Sequence, residues 1–238
     1  VLDVCHAQGW LDEQAARMAG VAREGLSVTE GDERHKPFYL DAQTLRCFHA
    51  LSQSPELLDV FRLLFGEEPL AHSRNILRTI FPNSSQITTP AHQDYVQIGG
   101  TTETWTTWIS LGECPVKLGG LAVSSGLHTK GVLEMKSAYG AGGVGVDVPE
   151  DTPWYTTHYQ AGDVIAFYSL NVHQGQDNFT EILRLSVDFR YQPVSHEIHE
   201  YSLLPHTREK NWDRIYSHWP DADDSLKHYW KRQAAHVT

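Results

Sequence analysis

A histidine and an aspartate two residues apart, in Thr89-Pro90-Ala91-His92-Gln93-Asp94-Tyr95, are the first candidates for chemistry in this sequence. Alternate residues of an extended strand point to the same face, so the imidazole of His92 and the carboxylate of Asp94 can converge on one point. Two histidines and one carboxylate form the facial triad that holds non-haem Fe(II), and this pair would supply two of the three ligands. About one such pair is expected by chance in a chain with 14 histidines, so a second histidine is needed to support it.

The second histidine, His173, follows the apolar stretch Val164 to Leu170, which predicts a strand buried on both faces. A polar side chain at the end of such a strand lies at the rim of the core, where binding sites are built. Eleven residues later comes Arg184, and a turn between the two strands would bring it beside His173. Because a guanidinium binds a carboxylate through two parallel hydrogen bonds, we expect an anion site there, with Ser186 adding a hydroxyl donor.

The strand that carries Arg184, residues 182–192, alternates regularly between apolar and polar side chains. Its apolar face consists of Leu183, Leu185, Val187, Phe189 and Tyr191, and its polar face of Arg184, Ser186, Asp188 and Arg190. Two interpretations are open: the polar face meets solvent, or it lines a polar cavity while the apolar face packs under helices. Residues 102–112 alternate in the same way, and Trp108 shares a face with Thr104, Thr106 and Ser110.

The elements that must position these residues are a helical N-terminal third and a series of short strands. The predicted helices are residues 9–26, 42–52, 54–66, about 211–218 and about 223–233. The third is the clearest, because Ser54 is a good N-cap, Pro55 suits the first turn and Gly66 can end it. Further strands are predicted at residues 76–81 and 121–124. Short strands after a helical block indicate an antiparallel barrel or sandwich backed by helices.

Residues 129–157 are glycine-rich, contain few apolar residues and show no sustained periodicity, so they predict a long loop of the kind that forms lids. Within them, residues 140–145 formally match the dinucleotide pattern G-x-G-x-x-G. That fingerprint needs a helix directly after it, and the sequence Val146-Asp147-Val148-Pro149 is not helical. We therefore interpret the glycines as part of a flexible lid.

Several other polar residues are given ordinary roles. The segment His196-Glu197-Ile198-His199-Glu200 is one residue shorter than the zinc-protease motif and is interpreted as a polar segment after the barrel. Three histidines are interpreted as polar or partly buried, the last two within reach of the pocket: His72, His128 and His158. Three arginines are predicted to be surface or ion-paired, or in one case to bind an anionic substrate group: Arg74, Arg78 and Arg190.

Composition excludes several classes of partner. The formal net charge is −11, which disfavours nucleic acid and anionic membranes, and no apolar run is long enough to cross a bilayer. No leader peptide is visible, although the chain begins at Val1. The cysteines at positions 5, 47 and 114 are isolated and odd in number, which indicates free thiols in a reducing compartment, and a cytoplasmic protein is expected.

Taken together, His92-x-Asp94, His173 and Arg184-x-Ser186 resemble the signature of Fe(II)/2-oxoglutarate dioxygenases of the phytanoyl-CoA dioxygenase family. The resemblance covers roughly residues 72–193 and extends to flanking segments. These are Trp108-Ile109-Ser110-Leu111-Gly112, Gly119-Gly120-Leu121-Ala122-Val123, Ser125-Gly126-Leu127-His128 and Gly162-Asp163.

The resemblance implies a mainly β fold with flanking helices, a double-stranded β-helix of the jelly-roll, cupin-like barrel type. We expect a single domain over residues 1–238, with a mainly helical region at 1–70, the β-helix core at 71–193 and a C-terminal extension at 194–238. The expected lid, 129–157, lies within the core region.

The resemblance also implies a ligand set and a reaction. His92, Asp94 and His173 would hold Fe(II), Arg184 and Ser186 would hold the distal carboxylate of 2-oxoglutarate, and Trp108 would help line the site. O2 would be consumed, succinate and CO2 released, and a C–H bond of a small polar metabolite or natural-product intermediate hydroxylated or otherwise oxidised. Gly175 departs from the family, which often has a small hydroxyl residue two positions after the distal histidine.

Two other functions are compatible with the same residues. One is a barrel that binds a metal or small ligand without turnover, and the other is a cupin-like enzyme that does not use 2-oxoglutarate. The second gives no role to an arginine eleven residues after the last ligand, and under the first, replacing Arg184 would leave ligand binding and metal content intact. The expected partner is a small-molecule substrate, and no oligomeric state is predicted.

Overall fold

The computed structural model describes residues 1–11, 20–26, 28, 32–82, 88–207, 209–222, 224–233 and 236–238. Its α-helices are α1 (Leu2–Ala7), α2 (His35–Gln43), α3 (Arg46–Ser52), α4 (Pro55–Phe65), α5 (Tyr95–Ile98), α6 (Trp212–Tyr216) and α7 (Trp230–Gln233). Its strands are β1 (Pro69–Ala71), β2 (Ile76–Ile80), β3 (Trp105–Ser110), β4 (Leu121–Ser124), β5 (Met135–Ser137), β6 (Val144–Val146), β7 (Trp154–Tyr155), β8 (Val164–Tyr168), β9 (His173–Gly175) and β10 (Arg184–Pro193). Short 3₁₀ turns lie at Val116–Leu118, Leu127–Lys130 and Glu200–Leu203.

The N-terminal helices agree with the sequence in part. Helix α4 confirms the prediction for residues 54–66, with proline in its first turn and Gly66 ending it at a φ of +70°. The predicted helix 42–52 is wrong in its bounds, because Leu45 is extended and separates α2 from α3. Of the predicted helix 9–26, positions 12–19 lie outside the described residues. The described flanks are not helical, since Leu11 pairs with Ala22 in an isolated bridge.

The major sheet is built around β10, its longest strand. β1 and β2 pair with successive parts of one edge of β10, β3 pairs with the other edge, and β8 pairs with β3. All of these pairings are antiparallel. Directly opposed residues of antiparallel strands share a face, so the register fixes which side chains meet. Arg190 is opposite Thr106, and Asp188 is opposite Trp108.

The outer face of the major sheet packs under the helices. Leu185, Val187, Phe189 and Tyr191 of β10 belong to one hydrophobic core that also contains Phe38, Phe48, Phe61, Ile215 and Trp230. Residues of the N-terminal helices, the strands and the C-terminal segment therefore contribute to the same core. The apolar face of β10 lies where its alternation places it, beneath helices.

A minor antiparallel sheet, in the order β7-β4-β9, faces the inner side of the major sheet. Between the two sheets lies a second apolar cluster, which contains Trp108 and Phe167 from the major sheet and Leu121 from β4. Two facing antiparallel sheets with helices on one side confirm the predicted class, a mainly β double-stranded β-helix with flanking helices. Within the described residues the strands form separate sheets rather than one closed barrel.

The segment predicted as a long loop, residues 129–157, contains secondary structure. β5 and β6 form a hairpin. Hydrogen bonds from Ala141 N to Thr88 O and from Val146 N to Ala91 O join this hairpin to the segment that precedes His92. Gly140 is required in its turn, because a Cβ there would lie 2.3 Å from the Thr88 oxygen and its φ is +125°. The prediction of a structureless loop is therefore wrong for this segment.

Two further predictions need correction, one for a strand and one for the C-terminal helices. β8 is an edge strand whose outer face no described element covers, so Val164 is 45% exposed and the strand is not buried on both faces. The C-terminal helices α6 and α7 are shorter than predicted; within the predicted span 223–233, position 223 lies outside the described residues.

Cys5, Cys47 and Cys114 are free thiols. Among the described residues, no helix is long and apolar enough to span a membrane.

Candidate metal centre

His92 and His173 are brought together by the backbone. They form an isolated antiparallel bridge, in which His92 N donates to His173 O (3.0 Å) and His173 N donates to His92 O (3.1 Å). Because directly opposed residues project to the same face, the two imidazoles lie side by side, with ring centroids 4.1 Å apart. Two side chains far apart in the sequence thus become neighbours through strand pairing.

The orientation of each imidazole is fixed by a carbonyl two residues earlier. His92 Nδ1 lies 2.8 Å from Pro90 O, and His173 Nδ1 lies 3.1 Å from Asn171 O. A carbonyl can only accept, so each Nδ1 carries the proton and each Nε2 presents a lone pair. The Phe167 ring packs against His173 at a centroid distance of 4.4 Å and holds its other side.

Asp94 completes the cluster from the start of helix α5. Its backbone is helical, so the predicted extended geometry is wrong at Asp94; the two side chains converge although only His92 lies in a strand pairing. Asp94 Oδ1 is 3.7 Å from His92 Nε2 and 3.9 Å from His173 Nε2. The intervening Gln93 points away and hydrogen-bonds to the backbone at Gly131, Leu133 and Leu170, which anchors the segment.

Two inward-facing residues of the major sheet hold the Asp94 carboxylate. Thr106 Oγ1 donates to Oδ2, and Arg190 Nη2 donates to Oδ1 at 3.1 Å. These two residues are opposite each other on β3 and β10. Neither was predicted to contact Asp94. The alternation of the two strands did indicate that both residues face the site, because Thr106 shares a face with Trp108 and Arg190 shares a face with Arg184.

Electrostatic interactions and burial keep Asp94 ionised and His173 neutral, the states in which these side chains bind a metal cation. Burial raises the pKa of the Asp94 carboxyl, but the Arg190 guanidinium and the two imidazoles outweigh it and hold that pKa well below its usual range. Burial, with a smaller contribution from His92, lowers the pKa of His173 to about 3. Asp94 is therefore a carboxylate and His173 a neutral imidazole at neutral pH.

The donor set fits one transition-metal ion. One ligand atom from each of His92, Asp94 and His173 lies within 4.8 Å of the other two, and all three residues are buried. Ligands about 2.1 Å from a common ion lie no more than roughly 4.2 Å apart, a limit that the two Asp94 distances meet. Neutral imidazoles with a carboxylate suit Fe(II), and three ligands on one side leave other coordination positions open.

Two of the other predicted site residues, Arg184 and Trp108, line the same narrow cavity as the cluster, and the third, Ser186, contacts Arg184. Arg184, Ser186 and Trp108 are all buried; Arg184 Nη1 donates to Ser186 Oγ at 2.7 Å, and its guanidinium carbon is 5.7 Å from the centre of the Trp108 ring. The cavity is lined by Arg184, Trp108 and the three residues of the cluster, and also by Gly175. Of the two interpretations of the polar face of β10, the lining of a polar cavity is the one that the structure supports.

A second, larger cavity of about 770 Å³ adjoins the first. Arg78 lines both cavities, and Arg190 lines the larger one while contacting Asp94. Ala141 and Gly142, from the turn of the β5–β6 hairpin, form part of its wall. The larger cavity therefore approaches the candidate metal centre through Arg78 and Arg190, although none of the three cluster residues lines it, and it is bordered by the segment predicted to be a lid.

The remaining polar candidates lie elsewhere or have structural roles. His158 is exposed and pairs with Glu113, so it does not reach the pocket. His72 is buried beside the larger cavity, where its Nε2 contacts Gln192. His128 lines neither cavity described above. The segment 196–200 follows β10 as a polar connection, with its backbone carbonyls bound by Gln192.

Comparison with known proteins identifies relatives and a shared fold. The 1-deoxypentalenic acid 11-beta-hydroxylases of Streptomyces exfoliatus and Streptomyces arenae are each 29% identical to this chain, over 157 and 156 residues. Each alignment covers 59% of this chain and 55% of the relative, so the chain spans about half the length of the curated relatives it matches.

Solved structures of low sequence identity share the fold. The non-heme α-ketoglutarate-dependent carbocyclase SnoK from nogalamycin biosynthesis has a TM-score of 0.52 at 23% identity, covering 63% of this chain and 59% of its own. EvdO2 from Micromonospora carbonacea var. aurantiaca, solved with 2-oxoglutarate, has a TM-score of 0.52 at 17% identity, covering 60% and 62%. The pattern that defines the phytanoyl-CoA dioxygenase (PhyH) family matches residues 8–186, about three quarters of this chain. The chain belongs to the phytanoyl-CoA dioxygenase family.

Proposed function

We propose that this protein is an Fe(II)/2-oxoglutarate-dependent dioxygenase that oxidises a C–H bond of a small molecule. The observation that carries the proposal is the convergence of His92, Asp94 and His173 on one point, with Arg184 lining the same cavity. When bound there, Fe(II) with 2-oxoglutarate and O2 supplies the oxidising power for hydroxylation, with succinate and CO2 as co-products.

The roles of the protein's residues follow from their contacts. His92 and His173 present oriented lone pairs, and Asp94 supplies a negative charge that Thr106 and Arg190 keep in place. Arg184 is the cation for the distal carboxylate of 2-oxoglutarate, because it is buried in the same cavity as the metal ligands. Ser186 orients that guanidinium and can share the contact, and Trp108 packs beside it.

The substrate is proposed to be a small metabolite or natural-product intermediate held in the larger cavity. The named relatives hydroxylate 1-deoxypentalenic acid, which supports oxidation of a small organic molecule. The β5–β6 hairpin forms part of the cavity wall and is proposed to act as its lid. We further propose that the three regions 1–70, 71–193 and 194–238 act as one domain, and that the protein is cytoplasmic, as its free cysteines suggest.

The deciding measurement is anaerobic visible absorption of the Fe(II)-loaded protein before and after addition of 2-oxoglutarate. We expect a new weak charge-transfer band, because the keto acid would chelate the metal directly. Candidate substrates can then be screened by their perturbation of the same band. Absence of the band in a protein with confirmed bound iron would contradict the proposal.

Two alternatives would give different results. A binding protein without turnover would form no succinate with any substrate, and a 2-oxoglutarate-independent enzyme would turn over without the co-substrate. In both alternatives Arg184 binds no co-substrate carboxylate, so replacing it would leave metal content and ligand binding unchanged.

A further inference from the structure

The larger cavity is lined by more cationic than anionic side chains. Its cations are Lys36, Arg74, Arg78, Arg190 and Lys210, whereas Glu209 is the one acidic residue among the lining residues that the structure describes. Glu209 itself pairs with Arg214. A concave surface with this imbalance raises the local concentration of anions.

The arginines of this cavity differ in how their charge is compensated. Arg78 pairs with Asp188, and Arg190 pairs with Asp94. Arg74, by contrast, donates to neutral acceptors, the carbonyl of Pro205 and the hydroxyl of Tyr201, both at 3.2 Å. In the described part of the chain no carboxylate pairs with it, although it is half-buried and stacked over the Tyr201 ring at 4.1 Å.

Arg190 has capacity for a second anion. Its side chain is nearly fully buried, and its Nε has no hydrogen-bond partner among the described residues. Its one carboxylate partner, Asp94, is also a proposed metal ligand, so a bound cation would share the negative charge of Asp94. The positive charge of Arg190 would then be less neutralised than it is beside a carboxylate that binds no metal.

A neighbouring histidine, His206, lies close to the same three arginines. Burial, followed by the charges of Arg74, Arg78 and Arg190, holds the pKa of His206 well below its usual range. His206 therefore adds no positive charge, and its Nδ1 lies 2.5 Å from the Tyr39 hydroxyl. Three guanidinium groups thus act on one point of the cavity wall.

We propose that this cavity binds the anionic oxygen group, a carboxylate or a phosphate, of an otherwise apolar substrate, with Arg74 and Arg190 as the donors. The apolar body is inferred from Leu40, Ile76 and Ile98, which line the same cavity. Guanidinium groups bind both kinds of oxyanion through charge-assisted hydrogen bonds. The proposal rests on the proposed function, because it assigns the larger cavity to the substrate.

Three probes of matched chain length test this assignment. Octanoate, octyl phosphate and octan-1-ol are titrated by calorimetry into the full chain, loaded anaerobically with Fe(II) and saturating 2-oxoglutarate so that the Arg184 cavity is filled. We expect at least one of the anions to bind about tenfold or more tightly than the alcohol, and the tighter of the two anions identifies the group. Equal affinity for the alcohol and both anions would overturn the proposal.

Replacing Arg74 by a neutral side chain tests whether the anion binds beside Arg74. Arg74→Gln should weaken binding of the preferred anion about tenfold or more, whereas Arg74→Lys should retain the preference for the anion over the alcohol. Arg62→Gln is the matched control, because Arg62 lies on helix α4 in exposed ion pairs with Asp59 and Glu68. Unchanged anion affinity in a folded Arg74→Gln variant would place the anion elsewhere and refute the assignment.

The same samples separate this proposal from the proposed function. If the 2-oxoglutarate band forms but binding shows no preference for anions, only the substrate assignment fails. If the band does not form but anion binding depends on Arg74, the anion site stands and the dioxygenase function fails.

Discussion

Strand β10 buries both of its faces, but the two faces bury different chemistry. The outer face places Leu185, Val187, Phe189 and Tyr191 under the helices, and the inner face places Arg184, Ser186, Asp188 and Arg190 against the candidate site. Each residue of both sets is at least nine-tenths buried. Burial alone therefore does not distinguish a core position from a site position on this strand.

The two faces differ in what burial costs. Apolar side chains gain roughly 25 cal/mol for each Å² removed from water, whereas a buried charge costs several kcal/mol unless it is paired. The inner face carries three charged groups, and burial raises the pKa of Asp188. Pairing of Asp188 with Arg78 and of Arg190 with Asp94 offsets part of that cost. We infer that the outer face stabilises the fold and that the inner face is retained for binding and chemistry.

The largest expected effect is on the inner side, from Asp94→Ala. Iron-dependent turnover should be abolished, because two histidines alone hold the metal poorly and Arg190 loses its partner. Succinate release and iron content are the measurements. In Asp94→Asn the amide oxygen can still accept from Arg190 and the amide nitrogen can donate to Thr106 Oγ1, so this variant shows whether the fold survives without the charge. Normal turnover in Asp94→Ala would remove the facial-triad assignment.

On the outer face, Phe189→Ala tests stability without touching the site. Phe189 is fully buried and packs against Phe48 at a ring distance of 5.9 Å, so the cavity left behind should lower the free energy of unfolding by about 3–5 kcal/mol. Urea denaturation measures this change. The affinity for 2-oxoglutarate below the unfolding transition should stay near that of the unsubstituted chain; a large loss of affinity would mean that the two faces are coupled.

A pH titration examines the helical side further, through His49. Burial lowers the pKa of His49 to about 4, and its Nε2 contacts the Gln43 carbonyl at 2.8 Å. The unfolded chain binds a proton below its ordinary pKa of about 6.5, whereas the folded chain does so only near 4. Its stabilisation is therefore present above pH 6.5 and lost as the pH falls towards 4, by about 3 kcal/mol.

The measurement is the free energy of unfolding against pH in metal-free protein. His49→Gln should reduce the slope between pH 6.5 and 4, while His72, whose pKa burial lowers to about 3, continues to contribute to it. An unchanged slope would show that His49 does not carry this dependence.

The last two expected effects are on the inner face, from Arg184→Ala and, as the smallest of all, from Ser186→Ala. Arg184→Ala should raise the 2-oxoglutarate requirement steeply, since hydrogen bonds to a charged group contribute about 1.5–3 kcal/mol. Ser186→Ala should raise it only a few-fold, because it removes the hydroxyl that accepts from Arg184. If neither variant alters the requirement, the co-substrate binds elsewhere.

The sequence predicted much of the site because local spacing and alternation determine which side chains share a face. His92, Asp94 and His173 converge, and Arg184 and Trp108 line the same cavity, with Ser186 hydrogen-bonded to Arg184. Asp94 reaches the cluster from a helical backbone, not from the extended strand that the spacing predicted. The roles of these residues stay predictions until they are tested.

What the sequence did not predict depends on long-range pairing. The apolar run of β8 does not show whether another element covers its outer face, so the exposure of Val164 was missed. The contacts of Thr106 and Arg190 with Asp94 depend on the register of β3 against β10. The β5–β6 hairpin is held by pairing with residues 88–91, which no local pattern of residues 129–157 reveals.

The bridge between His92 and His173 also links metal supply to the persistence of the folded chain. Its two partners are about 80 residues apart in sequence, so the unfolded chain does not assemble this ligand set. An ion bound only by the native state adds about 2.7 kcal/mol of stability when its free concentration is 100 times its dissociation constant. On the proposed function, iron starvation would therefore shorten the lifetime of this protein as well as stop its turnover.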